Sequence, residues 1–423
     1  MSRRVRPIAL AVAGLSMLTL GRLPGRLVNA AGLKLLVGAY AAWLAIVAAA
    51  SAVLGGKQRD PVAWGASLAS LGLLLRSIRR STMPHHSFEE ALGQDWRAHI
   101  PAEVQGRWQR RRYRLWAASP PEARWERDCI FGTHAETGDP LLADIWRCPE
   151  TVAPSGLAVI YLHGSAWHYL DKDMQTRRFF RFLASQGHLV MDVAYTLAPR
   201  AQLPAMLADI QRAISWLKRH ATAYGIDPER IVLMGGSSGA HLALLAAYTA
   251  ERAELRAADV EGSLTVRGVV SYYGIVDLLA AHRRLQQLPG IGTRWTWLKP
   301  LMHRIRFLPP GAPLTDTPQL IVSLLGGAPA EVPERYVHGS PLTHAGAHCP
   351  ATLLICPEHD ILTDLGEGRR LQEALQGAGV PAARIVLQGV EHGFDLIGIR
   401  WSPAYQASLH DVERFLAWLA SGA

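Results

Sequence analysis

From Arg124 onward, short apolar runs alternate with longer stretches of helical periodicity, and this alternation constrains the fold more than any other feature of the chain. The apolar runs are Leu141–Arg147, Leu157–His163, Leu189–Tyr195, Arg230–Met234, Val266–Tyr273, Ala351–Cys356 and Arg384–Gly389. Between them lie Asp173–Gln186, Leu203–Tyr224, Ala240–Glu251, Leu365–Gly377 and Pro403–Leu419, each with apolar residues at helical spacing. Near-continuous apolar strands separated by helices bury both faces of a mainly parallel sheet, so the expected class is α/β. The first two runs have no helix between them, which predicts an antiparallel pair at the start.

The rhythm breaks over residues 278–333. This interval holds Pro289, Pro300, Pro309 and Pro310, with Trp295, Trp297 and Phe307 among arginines. It is too long for an ordinary connection and reads as a small cap over a site. Its aromatics would line a pocket at that site, touch a membrane or simply pack the cap onto its domain.

The N-terminal 80 residues follow a different pattern. Leu35 to Leu54 is an uncharged run of 20 residues, which as a helix spans roughly 30 Å, the hydrocarbon thickness of a bilayer. Pro7–Gly21 and Pro61–Leu75 are shorter apolar runs. The first follows Ser2-Arg3-Arg4-Val5-Arg6 and precedes Val28-Asn29-Ala30, a signal-peptide-like layout, but Arg22 and Arg26 intervene. Basic residues flank every segment: Arg3, Arg4 and Arg6; Arg22, Arg26 and Lys34; Arg76, Arg79 and Arg80. Placing them all on the cytoplasmic side requires an even number of crossings, most simply a hairpin of Leu35–Leu54 and Pro61–Ile78. The expected organisation is a membrane segment over 1–80, a linker over 81–123 and an α/β domain over 124–423 facing the cytoplasm. Three crossings would place that domain outside.

Charge follows the same division. The chain has a net charge of +9, yet residues 1–120 hold 17 Lys and Arg against 5 Asp and Glu, leaving the rest slightly acidic. Positive charge beside apolar helices suits anionic lipid headgroups, so lipid is the expected partner and nucleic acid is not. Arg110, Arg111, Arg112 and Arg114 read as a solvated or membrane-facing cluster. The four cysteines show no disulfide or zinc spacing, and the 17 histidines no His-Glu-x-x-His, so a metal is not expected.

The chemistry concentrates at Ile231-Val232-Leu233-Met234-Gly235-Gly236-Ser237-Ser238-Gly239-Ala240-His241. Gly235-x-Ser237-x-Gly239 lies between an apolar strand and a helix, the setting in which a sharp turn lifts a serine hydroxyl above a sheet. Ser238 is the weaker candidate, because its second flanking position is Ala240. A serine hydroxyl needs a general base steadied by a carboxylate. Asp360 follows one apolar strand and His392 the next, in the chain order Ser, Asp, His. Glu358, Asp364 and Asp395 are runner-up acids. Backbone N–H groups of the His163-Gly164-Ser165-Ala166-Trp167 loop, with that of Ser238, would cradle an oxyanion.

The segment from about Arg124 to Ala423 resembles the bacterial acetyl esterase/lipase group of α/β-hydrolases, relatives of hormone-sensitive lipase. His163-Gly164-Ser165-Ala166-Trp167 is similar to that group's His-Gly-Gly-Gly-Trp/Phe, Tyr195–Pro199 to its Tyr-Arg-Leu-Ala-Pro, and Gly235–His241 to its Gly-x-Ser-Ala-Gly-Gly-His. Ser340-Pro341, Asp360 and His392-Gly393-Phe394 continue the match in order. The resemblance implies an α/β-hydrolase fold and carboxylester hydrolysis by Ser237, Asp360 and His392. It also implies an oxyanion hole from Gly164, Ser165 and Ser238, a small-molecule ester substrate and no cofactor. Ser165 and Ala166 stand where the group has glycine, and Cys356-Pro357 replaces its His-Gly. Amide or formamide hydrolysis and acyl transfer use the same residues, and a non-catalytic ligand-binding relative is the alternative from another class.

Overall fold

The computed structural model describes residues 5–23, 30–134, 137–174, 176–288, 317–398 and 400–422. The eight strands are β1 (Arg124–Thr133), β2 (Pro140–Arg147), β3 (Ala158–Leu162), β4 (Leu189–Val193), β5 (Ile231–Gly236), β6 (Gly268–Tyr272), β7 (Ala351–Pro357) and β8 (Ala382–Leu387). They form one sheet in the order β1-β2-β4-β3-β5-β6-β7-β8. From β4 to β8 every neighbouring pair is parallel.

The antiparallel start differs from expectation in its partner. β2 does not pair with β3; it lies between β1 and β4, antiparallel to both. The strand β1 went unread because Arg124, Glu126, Arg127 and Asp128 give it the charged character of an edge. Two register shifts also break its alternation.

The sheet is buried on both faces. Along β3, Ala158, Ile160 and Leu162 enter one hydrophobic cluster while Val159 and Tyr161 enter the other. The first cluster takes residues from α8 (Leu203–Arg219), α10 (Ser238–Tyr248) and α14 (Leu365–Gly377). The second takes residues from α7 (Arg177–Ser185) and α15 (Pro403–Ala420). The stretch expected as a linker is a packed strap. It forms α5 (Ser87–Leu92), a short 3-10 turn at Trp96–His99 and α6 (Ala102–Gly106). Phe88, Trp96 and Ile100 from the strap are buried in the second cluster. Arg112 is not solvated: its Nη2 lies 2.7 Å from Asp411 Oδ2, a fully buried carboxylate on α15.

The N-terminal helices are α1 (Val5–Met17), α2 (Ala31–Ala39), α3 (Ala41–Lys57) and α4 (Pro61–Ser81). The uncharged run expected as one span is broken: α2 and α3 meet at 75°. The break falls at Tyr40, whose ring packs 5.8 Å from Trp401, and Trp43 one turn later meets Trp116 and Trp401. Aromatic docking onto the α/β domain overrides the helical continuity of the run. The continuous apolar helix is instead α4, with 21 residues and a length of about 30 Å. Asp60 caps it by accepting from Val62 and Ala63 N–H, with Pro61 in the first turn.

α3 and α4 pack through small residues. Ala41, Ala45, Ala48, Ala52 and Gly55 are buried on α3, and Ala63, Ser67 and Ser70 on α4. A Cβ at Gly55 would lie 2.9 Å from Trp64 N, so the two backbones are close. α1 runs alongside, with Arg6 bonded to Asp60 at 2.9 and 3.0 Å. Arg6, expected on the same side as Arg80, therefore sits at the opposite end of α4. Val28 and Asn29 of the candidate cleavage site lie outside the described residues. Of the expected cap, α11 (Leu278–Gln286), α12 (Thr317–Leu325) and α13 (Pro333–His338) are described. Pro289, Pro300, Pro309 and Pro310, with Trp295, Trp297 and Phe307, lie outside the described residues.

Candidate active site

Every candidate side chain follows the C-terminal end of a parallel strand, the edge at which open α/β sheets present their sites. β5 delivers Ser237 directly into α10. Its backbone has φ 54° and ψ −119°, the left-handed region that a non-glycine residue adopts only when its surroundings hold it there. The surroundings do so. Ser237 N–H bonds Tyr272 O at 2.9 Å, and the flanking glycines admit no side chain. A Cβ at Gly239 would lie 2.0 Å from Leu162 O, and one at Gly235 2.5 Å from Gly239 C. The spacing of the motif is thus a steric requirement of the turn.

β7 leads to Asp360 and β8 to His392. His392 Nδ1 lies 2.8 Å from Asp360 Oδ2, and His392 Nε2 lies 3.0 Å from Ser237 Oγ. The three residues are therefore in hydrogen-bond sequence. Asp360 Oδ1 accepts from Leu362 and Thr363 N–H at 2.8 and 2.9 Å, and Oδ2 accepts from Thr363 Oγ1 at 2.7 Å. Burial alone would raise this carboxyl's pKa. Attraction to His392 and the bonds from His392 and Thr363 outweigh it and hold the pKa below the usual carboxylate value.

The runner-up acids are engaged elsewhere. Glu358 receives Arg80 Nη2 at 2.9 Å and Gly389 N–H at 2.7 Å. Asp364 caps α14 by accepting from Gly366 N–H at 2.6 Å. Asp395 accepts from the Tyr273 hydroxyl.

The loop after β3 lies against the nucleophile turn: a Cβ on Gly164 would fall 2.8 Å from Gly236 O and 3.5 Å from Ser237 Cβ. Ser165, Ala166 and Trp167 have φ of 103°, 56° and 63°. The loop therefore keeps left-handed backbone where the two departures from glycine stand. Each such residue costs on the order of 1 kcal/mol or more. Local bonds offset part of that cost: Ser165 Oγ donates to Tyr169 O, and the His168 ring bonds Ala166 O at 2.7 Å.

Trp167 ties this loop to α10, its Nε1–H donating to His241 Nδ1 at 3.2 Å while His241 Nε2 bonds Gly339 O at 2.8 Å. These bonds require a neutral imidazole. Burial supplies it by lowering the His241 pKa to about 4. Tyr195 lies stacked on His163 and donates to His163 O at 2.7 Å. Ser238 opens α10 and is fully buried, with its N–H at the helix N-terminus beside Ser237. Thr363 was not singled out from the sequence, because a threonine three residues past an acid has no distinguishing local pattern, and His241 was read only as the last residue of the nucleophile motif.

A sequence profile of the BD-FAE family matches residues 143–375, more than half of the chain. The chain belongs to the BD-FAE family. As a BD-FAE member with an α/β-hydrolase sheet it is a carboxylesterase-like hydrolase. Among curated proteins it is similar to esterase LipQ of Mycobacterium tuberculosis, 26% identical over 337 residues that cover 78% of this chain and 73% of LipQ. It is also similar to the probable carboxylic ester hydrolase LipM of the same organism, at 28% identity over 67% of this chain and 60% of LipM. The chain thus spans less than two thirds of LipM. Solved structures of like fold include a truncated carbohydrate esterase from gut microbiota (TM-score 0.53, 22% identity, 71% of this chain and 99% of that one). Esterase B from Lactobacillus Rhamnosis is another (TM-score 0.53, 19% identity, 79% and 96%).

Proposed function

We propose that the chain hydrolyses carboxylic esters through a covalent acyl-enzyme on Ser237, with His392 as general base and Asp360 as its orienting acid. The observation that carries this reading is the unbroken pair of bonds from Ser237 Oγ to His392 Nε2 to Asp360 Oδ2 at the nucleophile turn. His392 takes the hydroxyl proton as Oγ attacks the ester carbonyl, and Asp360 stabilises the resulting imidazolium. The N–H groups of Gly164, Ser165 and Ser238 receive the oxyanion. His392 then protonates the leaving alcohol, and a water deprotonated by His392 releases the acid. No cofactor enters this cycle.

The reading extends to where the enzyme works. We place it at a membrane. Support comes from the arrangement of the N-terminal bundle, with small residues inside and large apolar ones outside. Ile46, Val47, Val53, Leu54, Val62, Trp64, Leu68 and Leu75 are each more than 40% exposed on α3 and α4. Water would favour the opposite arrangement, whereas lipid accepts this one. Lys34, on α2, and Arg80, in the last turn of α4, both bind the loops that follow β7 and β8, so the segments leading into and out of the α3–α4 hairpin meet the catalytic domain together. Short- to medium-chain or lipid-derived esters are the proposed substrates.

The test uses the full chain in detergent, as wild type and Ser237→Ala, against p-nitrophenyl esters from acetyl to palmitoyl. Wild-type turnover with a loss of about four to six orders of magnitude in Ser237→Ala is the expected result. Equal activity of the two proteins refutes the assignment. Partition of the full chain into the soluble fraction without detergent would refute the membrane placement.

A further inference from the structure

We propose that Lys34, in the N-terminal bundle, is a positioning residue for the catalytic acid and base, so that the N-terminal segment forms part of the active site's framework as well as an anchor. This inference rests on the triad reading above.

Lys34 is almost wholly buried, and its ammonium has three close acceptors: Gly21 O at 2.7 Å, His359 Nδ1 at 2.9 Å and Glu391 Oε1 at 2.7 Å. An ammonium has three hydrogens, so its donor capacity is filled. Two of those acceptors are the chain neighbours of the candidate catalytic residues. His359 immediately precedes Asp360, and Glu391 immediately precedes His392. One cation therefore holds the loop after β7 to the loop after β8 at the point where acid and base must meet.

Its surroundings make the clamp specific. Glu391 is itself buried, and a buried carboxylate needs a fixed counter-charge. His359 must be neutral to accept from Lys34, and burial, followed by the Lys34 charge, lowers its pKa to about 4. The two loops are otherwise joined by backbone bonds such as His359 N–H to Val390 O at 2.8 Å. The same segment adds a second contact, with Arg22 donating to the Asp360 carbonyl oxygen. At the other end of the hairpin, Arg80 holds Glu358 and Gln388 on the same two loops. A clamp of this kind acts on the distance and angle between Asp360 and His392, and small displacements of catalytic groups are costly in rate.

The experiment compares the full chain in detergent as wild type, Lys34→Met and the paired Lys34→Met/Glu391→Met. The paired variant removes both charges, so that neither is left buried alone. Reactive Ser237 is counted with a p-nitrophenyl phosphonate, whose stoichiometric release of p-nitrophenol gives the concentration of competent sites. The expected result is a fall of about ten- to a hundredfold in kcat per titrated serine in both variants, with KM little changed. The paired variant keeps a cooperative unfolding transition near that of the wild type. A merely structural role would lower the number of titratable sites while leaving kcat per site at the wild-type value. That outcome in the folded paired variant overturns the proposal. Ser237→Ala is measured in parallel: if it still hydrolyses esters and titrates, the triad reading fails, independently of Lys34.

Discussion

Asp360 sits where burial favours the neutral acid, yet the proposed mechanism needs the carboxylate. Thr363 is one of the groups that reverse the balance, through its hydroxyl at 2.7 Å and its N–H at 2.9 Å. Thr363→Val removes the hydroxyl donor and keeps the shape. The carboxyl pKa then rises towards its burial-dominated value, so activity that depends on ionised Asp360 is lost at a higher pH as the solution is acidified. A pH profile of kcat/KM for Thr363→Val should show its acid limb displaced upward, with several-fold lower activity near neutrality. Thr363→Ser should restore both, and an unmoved acid limb would show that Thr363 does not tune the acid. The positions of Ser237, Asp360 and His392 after successive strands were legible in the sequence because each follows an apolar run and two of them sit in short motifs. Thr363 was not, and neither was Lys34, whose partners lie 325 and 357 positions away. Contacts at that separation leave no local periodicity or spacing to read.

At the scale of elements, the strap over residues 81–123 shows where pattern reading fails. Its turns are too short for helical periodicity to emerge, and its prolines, histidines and arginines resemble the composition of a linker. Trp96 nevertheless is only 1% exposed, with ring contacts to Phe88 at 5.2 Å and Trp108 at 6.2 Å. Replacing such a residue by alanine removes its burial and leaves a cavity, a cost of about 3–5 kcal/mol. Trp96→Ala should lower the urea midpoint of the full chain accordingly while keeping a single cooperative transition. A change within a few tenths of a kcal/mol would mean that the strap is dispensable to the fold. The opposite case is α14, whose bounds match the sequence reading at both ends because Asp364 caps an amphipathic stretch that Gly377 closes. Elements that carry their own start and stop signals were legible. The bend at Tyr40, whose ring packs on Trp401, 361 positions downstream, was not.

Across the whole molecule the buried histidines weaken the fold in acid. His188 and His241 are 3% and 0% exposed, and burial lowers each pKa to about 4 from an ordinary value of 6.5. Each ring is held neutral by a bond, His188 Nδ1 to Ser155 Oγ at 2.8 Å and His241 Nδ1 to the Trp167 indole. The unfolded chain protonates these rings below 6.5, whereas the folded chain does so only near 4. Between those values the unfolded state therefore binds more protons, and stability falls as pH falls. Above 6.5 both states are neutral at these positions and the contribution is complete. Carboxylates with lowered pKa, such as Asp360 and Asp411, lose their contribution only below the ordinary carboxylate range, whereas buried carboxyls with raised pKa, such as Glu413 at about 7, act in the opposite sense within the window, so the histidine share is read as a difference between variants. Each ring can contribute a slope of up to about 1.4 kcal/mol per pH unit there. The unfolding free energy of the wild type relative to His188→Gln should therefore be level from pH 8 to 7 and decline below 6.5. The Trp167–His241 bond links this loss to the site: as His241 protonates, the loop bearing Gly164 and Ser165 is released from α10. Ester hydrolysis after a pulse at pH 5 and return to neutrality should track the unfolded fraction. A difference between wild type and His188→Gln that stays constant from pH 7 to 5 would mean that the His188 ring is solvated or protonated in the folded state.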